Sequence, residues 1–238
     1  MPKIYIGTSG FEYDWVNFYN GARNKLEYYS KKFNTVEINY SFYKLPSIDT
    51  YKKWEKETPS DFCFALKLSR YITHIKRLED SENAFNEFVK RAKYLKSKLG
   101  PILVQLPSNF KLKLDVMESF LINNKEKLAF EFRNEDSLDS KELVNLFKKY
   151  NVAFVFSHSR VFPYREIITA DFVYLRMHGP KKLYGSEYGE DLKEWAPKIK
   201  AWAKNRDVYV YFNNDQNEHA PNDAKRLFNL IFLNQKYR

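Results

Sequence analysis

Charged residues stand at the C-terminal ends of several apolar runs: Glu37 in TVEINY, Lys67 in FCFALKLS, Glu131 and Arg133 in LAFEFR, Arg176 and His178 in FVYLRMHG. Gathered at one point, they admit three chemistries. Glu37 and Glu131 could divide acid and base duties across a glycosidic bond. Lys67, withdrawn from water beside Arg133 or Arg176, would lose its proton readily and attack a carbonyl or an abasic sugar. Held by carboxylates, it would stay charged and anchor a phosphate or carboxylate instead. Glu37, Glu131, His178 and Asp215, with His74, are also donors for a divalent metal. With only four His in the chain and no HxH or HExxH spacing, metal is the minor alternative, and no cofactor is expected. The catalytic candidates are therefore Glu37, Lys67, Glu131 and His178.

Strand alternation decides which of these side chains can meet. Glu37 shares a face with Asn39, opposite Val36 and Ile38. Lys67 follows Cys63 and Ala65, and Glu131 and Arg133 follow Ala129. Arg176 and His178 follow Tyr174, and Asn213 and Asp215 follow Tyr211. With Gln105, this polar set opposes apolar residues suited to packing under helices. Mutual pairing of the charges, with no chemistry attached, is the structural alternative.

The runs that carry these residues are eight: IYIGTSG (4–10), TVEINYSFY (35–43), FCFALKLS (62–69), ILVQLP (102–107), LAFEFR (128–133), VAFVFSHS (152–159), FVYLRMHG (172–179) and VYVYFNND (208–215). Helical stretches separate most of them, at 22–33, 47–57, 81–99, 114–124, 140–150, 189–204 and 220–235. Gly100 and Pro101 should end the third, and Pro197 should kink or break the seventh near Ala196. Residues 159–171 lack a helical period, so the helix after strand six should be short or missing. The pattern predicts a single-domain α/β fold, a (β/α)₈ TIM barrel over residues 1–238 with its chemistry at the C-terminal rim.

Aromatic and basic residues interleave on the expected rim: Phe11, Tyr13, Trp15, Phe42, Tyr43, Arg70, Tyr71, His74 and Arg77, then Phe162, Tyr164, Arg165, Tyr184 and Tyr188. Such surfaces suit bases and phosphates, and sugars or nucleotide cofactors almost as well. Tyr43, Arg70, His74, Asn39, Gln105, Arg133, Arg176, Asn213 and Asp215 are substrate-binding candidates. The formal charge of +10 favours anionic partners, nucleic acid above all. The basic run at 90–98 reads as a solvated helix face. A single cysteine, Cys63, excludes an intramolecular disulfide. No apolar stretch reaches the ~18 residues of a membrane span, and no leader pattern opens the chain, so a cytoplasmic protein is expected.

The segments IYIGTSGFEYDW, FNTVEINYSFYKLP, FCFALKLSRYITHIKRL, GPILVQLP, FEFRNEDS, FVYLRMHG and YVYFNND resemble the YecE-like family, domain-of-unknown-function family 72, over essentially the whole chain. The resemblance implies a TIM barrel and brings no assigned reaction. It adds Thr8, Ser9 and Asn214 to the substrate-binding candidates. Two departures stand out: Phe11-Glu12-Tyr13 replaces the usual Trp-Ser-Tyr, and Ser157-His158 stands where the family often shows Asp.

The leading expectation is a nucleic-acid-acting enzyme, such as a DNA-repair glycosylase, lyase or endonuclease. The alternatives are an enzyme on a small sugar or phosphorylated metabolite, and a non-catalytic nucleic-acid-binding barrel. Salt-dependent binding to oligonucleotides and turnover of damaged substrates separate the three.

Overall fold

The computed structural model describes residues 2–122 and 124–233. Eight parallel strands run in chain order: β1 (Ile4–Thr8), β2 (Thr35–Ile38), β3 (Cys63–Lys67), β4 (Leu99–Gln105), β5 (Leu128–Glu131), β6 (Ala153–His158), β7 (Phe172–Met177) and β8 (Asp207–Phe212). They form one sheet in the order β1-β8-β7-β6-β5-β4-β3-β2, which curls until β1 faces β2. The fold is a single-domain TIM-like barrel.

Ten α-helices surround it among the described residues: α1 (Val16–Tyr19), α2 (Lys25–Ser30), α3 (Tyr40–Tyr43), α4 (Ile48–Glu57), α5 (Glu82–Ala92), α6 (Leu114–Ile122), α7 (Glu135–Leu138), α8 (Lys141–Tyr150), α9 (Leu192–Trp202) and α10 (His219–Phe232). Side-chain caps begin three of the longer ones. Asn24, Ser47 and Ser140 accept hydrogen bonds from the backbone N–H of Glu27, Thr50 and Leu143. No helix lies between β6 and β7, where residues 159–171 run as a loop. The final residues of the expected helices at 114–124 and 220–235, namely 123 and 234–235, lie outside the described residues.

Alternation sorts the strand residues into two cores. Ile6, Val36, Phe64, Val104, Phe130, Phe154, Leu175 and Val210 point outward under the helices. Ala65, Leu103, Ala129, Ala153, Val155, Tyr174, Tyr209 and Tyr211 point inward. The inward set is size-matched, with tyrosines of β7 and β8 filling the space left by alanines of β3, β5 and β6. Tyr5 and Tyr209 stack at 4.7 Å and plug the lower end.

The closing seam is built from side chains. Between β1 and β2 there is a single backbone bridge, Ser9 with Glu37. Below it, Asn34 accepts from Ile6 N–H at 2.9 Å and donates to the Ile4 carbonyl at 2.9 Å, as a neighbouring peptide would. The Tyr29 hydroxyl accepts from Thr8 N–H at 2.8 Å and donates to the Thr35 carbonyl at 3.1 Å. Gly7 makes this approach feasible, since a Cβ there would meet the Thr35 oxygen at 2.0 Å. Tyr29 is fully buried, so Tyr29→Phe strands two backbone groups. A loss of about 2–3 kcal/mol is expected in urea unfolding, and a change below about 0.5 would show that the seam contributes little.

Four expectations need correction. The run at 35–43 is not one strand: it leaves the sheet after Ile38, because Ser41 Oγ fastens the α3 turn to the carbonyls of Ile38 and Lys67. Gly100 and Pro101 lie inside β4, and α5 gives way to a tight 3₁₀ segment at Lys93–Lys98. Pro197 does not break its helix: α9 runs through it, held by buried Trp195, Ala196 and Ile199. The basic run at 90–98 is not wholly solvated, because Lys98 is buried and donates to the carbonyls of Glu55 and Thr58 at the C-terminal end of α4.

Candidate active site

Every inward strand position near the C-terminal end carries a polar group, and the first layer they form is an ion cluster. Arg176 of β7 is at its centre and 1% exposed. It donates from Nη1 to Glu131 at 2.5 Å and from Nη2 to Glu37 at 2.9 Å. Glu37 also accepts from Ser9 Oγ at 2.5 Å and from the Tyr174 hydroxyl at 2.7 Å. Glu131 also accepts from Arg133 Nε at 2.8 Å and Ser157 Oγ at 3.3 Å. Both carboxylates are fully buried. Burial alone would raise the Glu131 pKa, but the Arg176 and Arg133 guanidiniums overcome it and hold the carboxyl well below its usual range. The two glutamates are thus committed to arginines and have no free edge for acid or base work.

Above this layer opens a cavity of about 770 Å³, lined by Tyr13, Asn39, Phe42, Tyr43, Lys67, Arg70, His74, Gln105, Pro107, Ser108, Arg133, Phe162, Arg176, Tyr184, Asn213 and Asp215. Lys67 projects into it from the end of β3, its Nζ 4.1 Å from the centre of the Phe42 ring. Among the described residues, Lys67 has no carboxylate within ion-pair distance. Burial, then Arg176, lowers its pKa to about 8, while Glu131 and Glu37 oppose the shift. Asp215 is displaced the other way: burial raises its carboxyl to about 7, against the Tyr13 hydroxyl and Arg176. Its Oδ1 has no hydrogen-bond partner. The cavity therefore holds an amine and a carboxyl that both titrate near neutrality.

The histidines differ in access. His178 is fully buried and its pKa is pushed well down, first by burial and then by Arg176, so the ring is neutral. Asn213 donates its amide nitrogen to Nδ1 at 3.0 Å, which leaves the proton on Nε2, 4.0 Å from Glu131. His74 sits on the rim against Phe42, with Nδ1 2.9 Å from the Thr73 hydroxyl. Burial, then Lys67 and Arg70, depresses it to about 4. Arg133 lies flat on Phe162, 3.5 Å from the ring centre, and Phe162 comes from the helix-less loop.

Of the catalytic candidates, Lys67 alone lines the cavity. Glu37, Glu131 and His178 face inward as alternation predicts, but lie in the buried layer behind it. Asn39, Tyr43, Arg70, His74, Gln105, Arg133, Arg176, Asn213 and Asp215 line the cavity. Three expected binding residues are structural instead. Thr8 bonds to the Gly10 carbonyl at 2.6 Å and to Tyr29. Ser9 is spent on Glu37. Asn214 is fully buried and donates to the Ser186 carbonyl and to Asp223, both at 2.9 Å, tying the end of β8 to α10. The expected rim also shrinks: Phe11, Trp15 and Tyr188 are buried in the outer core, while Arg77 is turned to Asn109. Among the described residues no three His, Cys, Asp or Glu side chains converge to hold a metal, so the suggested set of Glu37, Glu131, His178, His74 and Asp215 is not brought together. Sequence reading passed over Asp223, whose carboxylate takes the backbone N–H of Tyr188 at 2.8 Å; its place inside a helix offered no signal.

The family described as protein of unknown function DUF72 matches residues 5–237. The chain belongs to the DUF72 family. The UPF0759 protein YecE of Escherichia coli K12 is 32% identical to it over 108 residues. The match spans 45% of this chain and 39% of that one. The UPF0759 protein YunF of Bacillus subtilis 168 is 34% identical over 145 residues, 55% of this chain and 51% of its own. The chain thus matches about half or less of the length of these curated relatives. A DUF72 family protein from Thermotoga maritima MSB8 superposes with a TM-score of 0.84 at 27% identity, covering 96% of this chain and 99% of that one. An Enterococcus faecalis V583 family protein reaches 0.82 at 20% identity, over 99% and 97% of the two chains, which shows the shared fold alone. Among the described residues no helix of this DUF72 protein is long and apolar enough to cross a membrane.

Proposed function

We propose that the protein is a cytoplasmic enzyme of the glycosylase or lyase type, acting on the sugar of a phosphate-bearing substrate, nucleic acid first. The observation that carries this reading is Lys67: an amine with pKa about 8, without a carboxylate partner, inside a cavity also lined by Arg70, Arg133 and Arg176. Arg70, whose guanidinium makes no ion pair among the described residues, can hold phosphate oxygens in bidentate fashion, while Arg133 and Arg176, engaged with Glu131 and Glu37, add positive potential behind it. The uncharged amine adds to the aldehyde of an abasic site and water leaves, giving an imine; at the anomeric carbon of a nucleoside it displaces the base, and opening of the ring C–O bond then gives the imine. Asp215, a neutral acid below pH about 7, supplies the proton to the departing oxygen or nitrogen. Exposed Tyr43 and Tyr71 beside Arg70, with the charge of +10, support a strand lying across the rim. The volume of the cavity, about 770 Å³ and within the range of small-molecule sites, favours the second reading, a small phosphorylated sugar.

Borohydride separates them. Reduction in the presence of an abasic-site oligonucleotide is expected to leave a covalent adduct on Lys67, located by peptide mass analysis. An adduct formed only with a phosphorylated aldose supports the second reading. No adduct with either removes Lys67 as a nucleophile and leaves it an anion anchor.

The pH profile carries the same assignment. The amine must be neutral, so activity rises as pH rises towards 8, whereas the acid must keep its proton, so activity falls as pH rises beyond 7. Their product is a bell with limbs near pH 7 and 8, and only about a twentieth of the enzyme in the active form between them. Asp215→Asn should lower kcat and convert the bell into one ascending limb near pH 8. A bell that survives this change would place the acid elsewhere.

A further inference from the structure

A second cavity adjoins the first and differs from it in kind. It holds about 250 Å³ and lies between the loop after β1 and the α3 turn, with Ile38, Tyr40 and the buried Trp54 among its walls. The two cavities share Tyr13, Asn39 and Tyr43, so a single ligand can occupy both. One is rimmed by guanidiniums and an amine; the other is lined mainly by aromatic rings and an isoleucine, with Gly10 and Glu12 at its loop side. Tyr40 is 43% exposed and Tyr43 80% exposed, high values for rings not covered by another part of the chain. The Asn39 side chain stands in the partition between the cavities. Its Nδ2 donates to the Ser9 carbonyl at 3.2 Å, while its Oδ1 is buried without a donor. An orphaned acceptor in that wall suits a ring that carries N–H groups better than a purely hydrocarbon one.

From this juxtaposition we infer that the cleft is a nucleobase subsite, and that the substrate is a nucleoside 5′-phosphate unit with its phosphate in the cationic cavity and its base against Tyr40. The inference rests on the proposed reading of the larger cavity and narrows it. Size agrees, since the smaller cavity admits one ring system and little more. The arrangement also places the sugar between the two, at the partition beside Asn39, on the edge of the cavity that Lys67 lines. A base held apart from the phosphate is what displacement at the anomeric carbon requires, because the base is then the group that leaves.

Binding calorimetry on the intact protein with three probes tests this: inorganic phosphate, ribose 5-phosphate and adenosine 5′-monophosphate. The expected order is adenosine monophosphate tightest, by roughly tenfold or more over the sugar phosphate, which is the scale of one base stacked on an aromatic ring. Tyr40→Ala should erase most of that gain and leave phosphate binding unchanged. Tyr40→Leu, which keeps an apolar side chain but removes the aromatic face, provides a second variant if the first fails to fold. Equal affinity for the sugar phosphate and the nucleotide overturns the cleft assignment while the anionic cavity stands. A nucleotide preference that survives both tyrosine variants overturns it as well, by placing the base elsewhere. No binding of any probe overturns the reading of the cationic cavity and this inference with it.

Discussion

Arg176→Leu is expected to cost about 5 kcal/mol or more, as much as the whole margin of many domains, and to leave the chain unfolded or aggregated at 37 °C. The cost follows from what remains. Glu37 and Glu131 are fully buried, and Arg176 is the cation that both share. Without it Glu37 keeps only the Ser9 and Tyr174 hydroxyls, and Glu131 keeps Arg133 on one side. A charge left uncompensated in the interior costs far more than the pair contributed. Neutralising the carboxylates in the same background, as Arg176→Leu with Glu37→Gln and Glu131→Gln, should recover a substantial part of the loss. Urea unfolding of the single and triple variants measures both steps. A single variant of unchanged stability would show that water or rearrangement supports the cluster. Arg176→Lys is no full substitute, since a single compact ammonium replaces a planar fork whose two nitrogens each reach a different carboxylate.

Lys67→Met should reduce turnover on the order of 10⁴-fold with KM little altered, the signature of a lost nucleophile. Lys67→Arg should be as inactive, because a guanidinium keeps its proton at any working pH. A variant that instead raises KM and keeps kcat would mark the side chain as an anchor. Stability offers an independent readout with its own sign. The folded pKa is lowered from 10.5 to about 8, so the unfolded chain binds the proton more tightly. This destabilising contribution is fully present below pH 8 and disappears as pH rises to about 10.5. The native protein should therefore gain stability across that window from this group, and Lys67→Met should lose that slope while becoming no less stable at pH 7.

Much of this arrangement could be read from the chain before any coordinates. A period of two in FVYLRM or FCFALK is enough to put Arg176 and Lys67 on the same side as Tyr174 and Ala65, because a pleated strand leaves no other choice. What alternation cannot supply is depth. It treats Glu131 and Lys67 alike, yet one lies beneath the cavity and the other lines it. That difference depends on which cation Glu131 reaches across the barrel, a contact between positions 45 residues apart. The same limit explains Asn214 and Ser9, whose partners lie on other elements. Phe11, Trp15 and Tyr188 look like rim aromatics because they belong to loops, but those loops fold back and bury them. The missing helix at 159–171 was legible, since an absent period is itself a pattern. The consequence that Phe162 from that loop covers Arg133 was not.

The side-chain seam bears on how the protein is made. β1 has its backbone ladder with β8, Ile4 opposite Val208, and meets β2 through one bridge and the hydroxyl and amide of Tyr29 and Asn34. On the ribosome β1 emerges some 200 residues ahead of the strand it must pair with, an interval of roughly 10–40 s at ordinary elongation rates. During that wait its one nearby neighbour is β2, and the two can be held together by Asn34 and Tyr29 without a ladder between them. The seam is thus the one joint of the ring whose parts, Tyr29, Asn34 and Thr35, are all made within the first 35 residues, whereas the ladder on the other edge of β1 waits for the last strand.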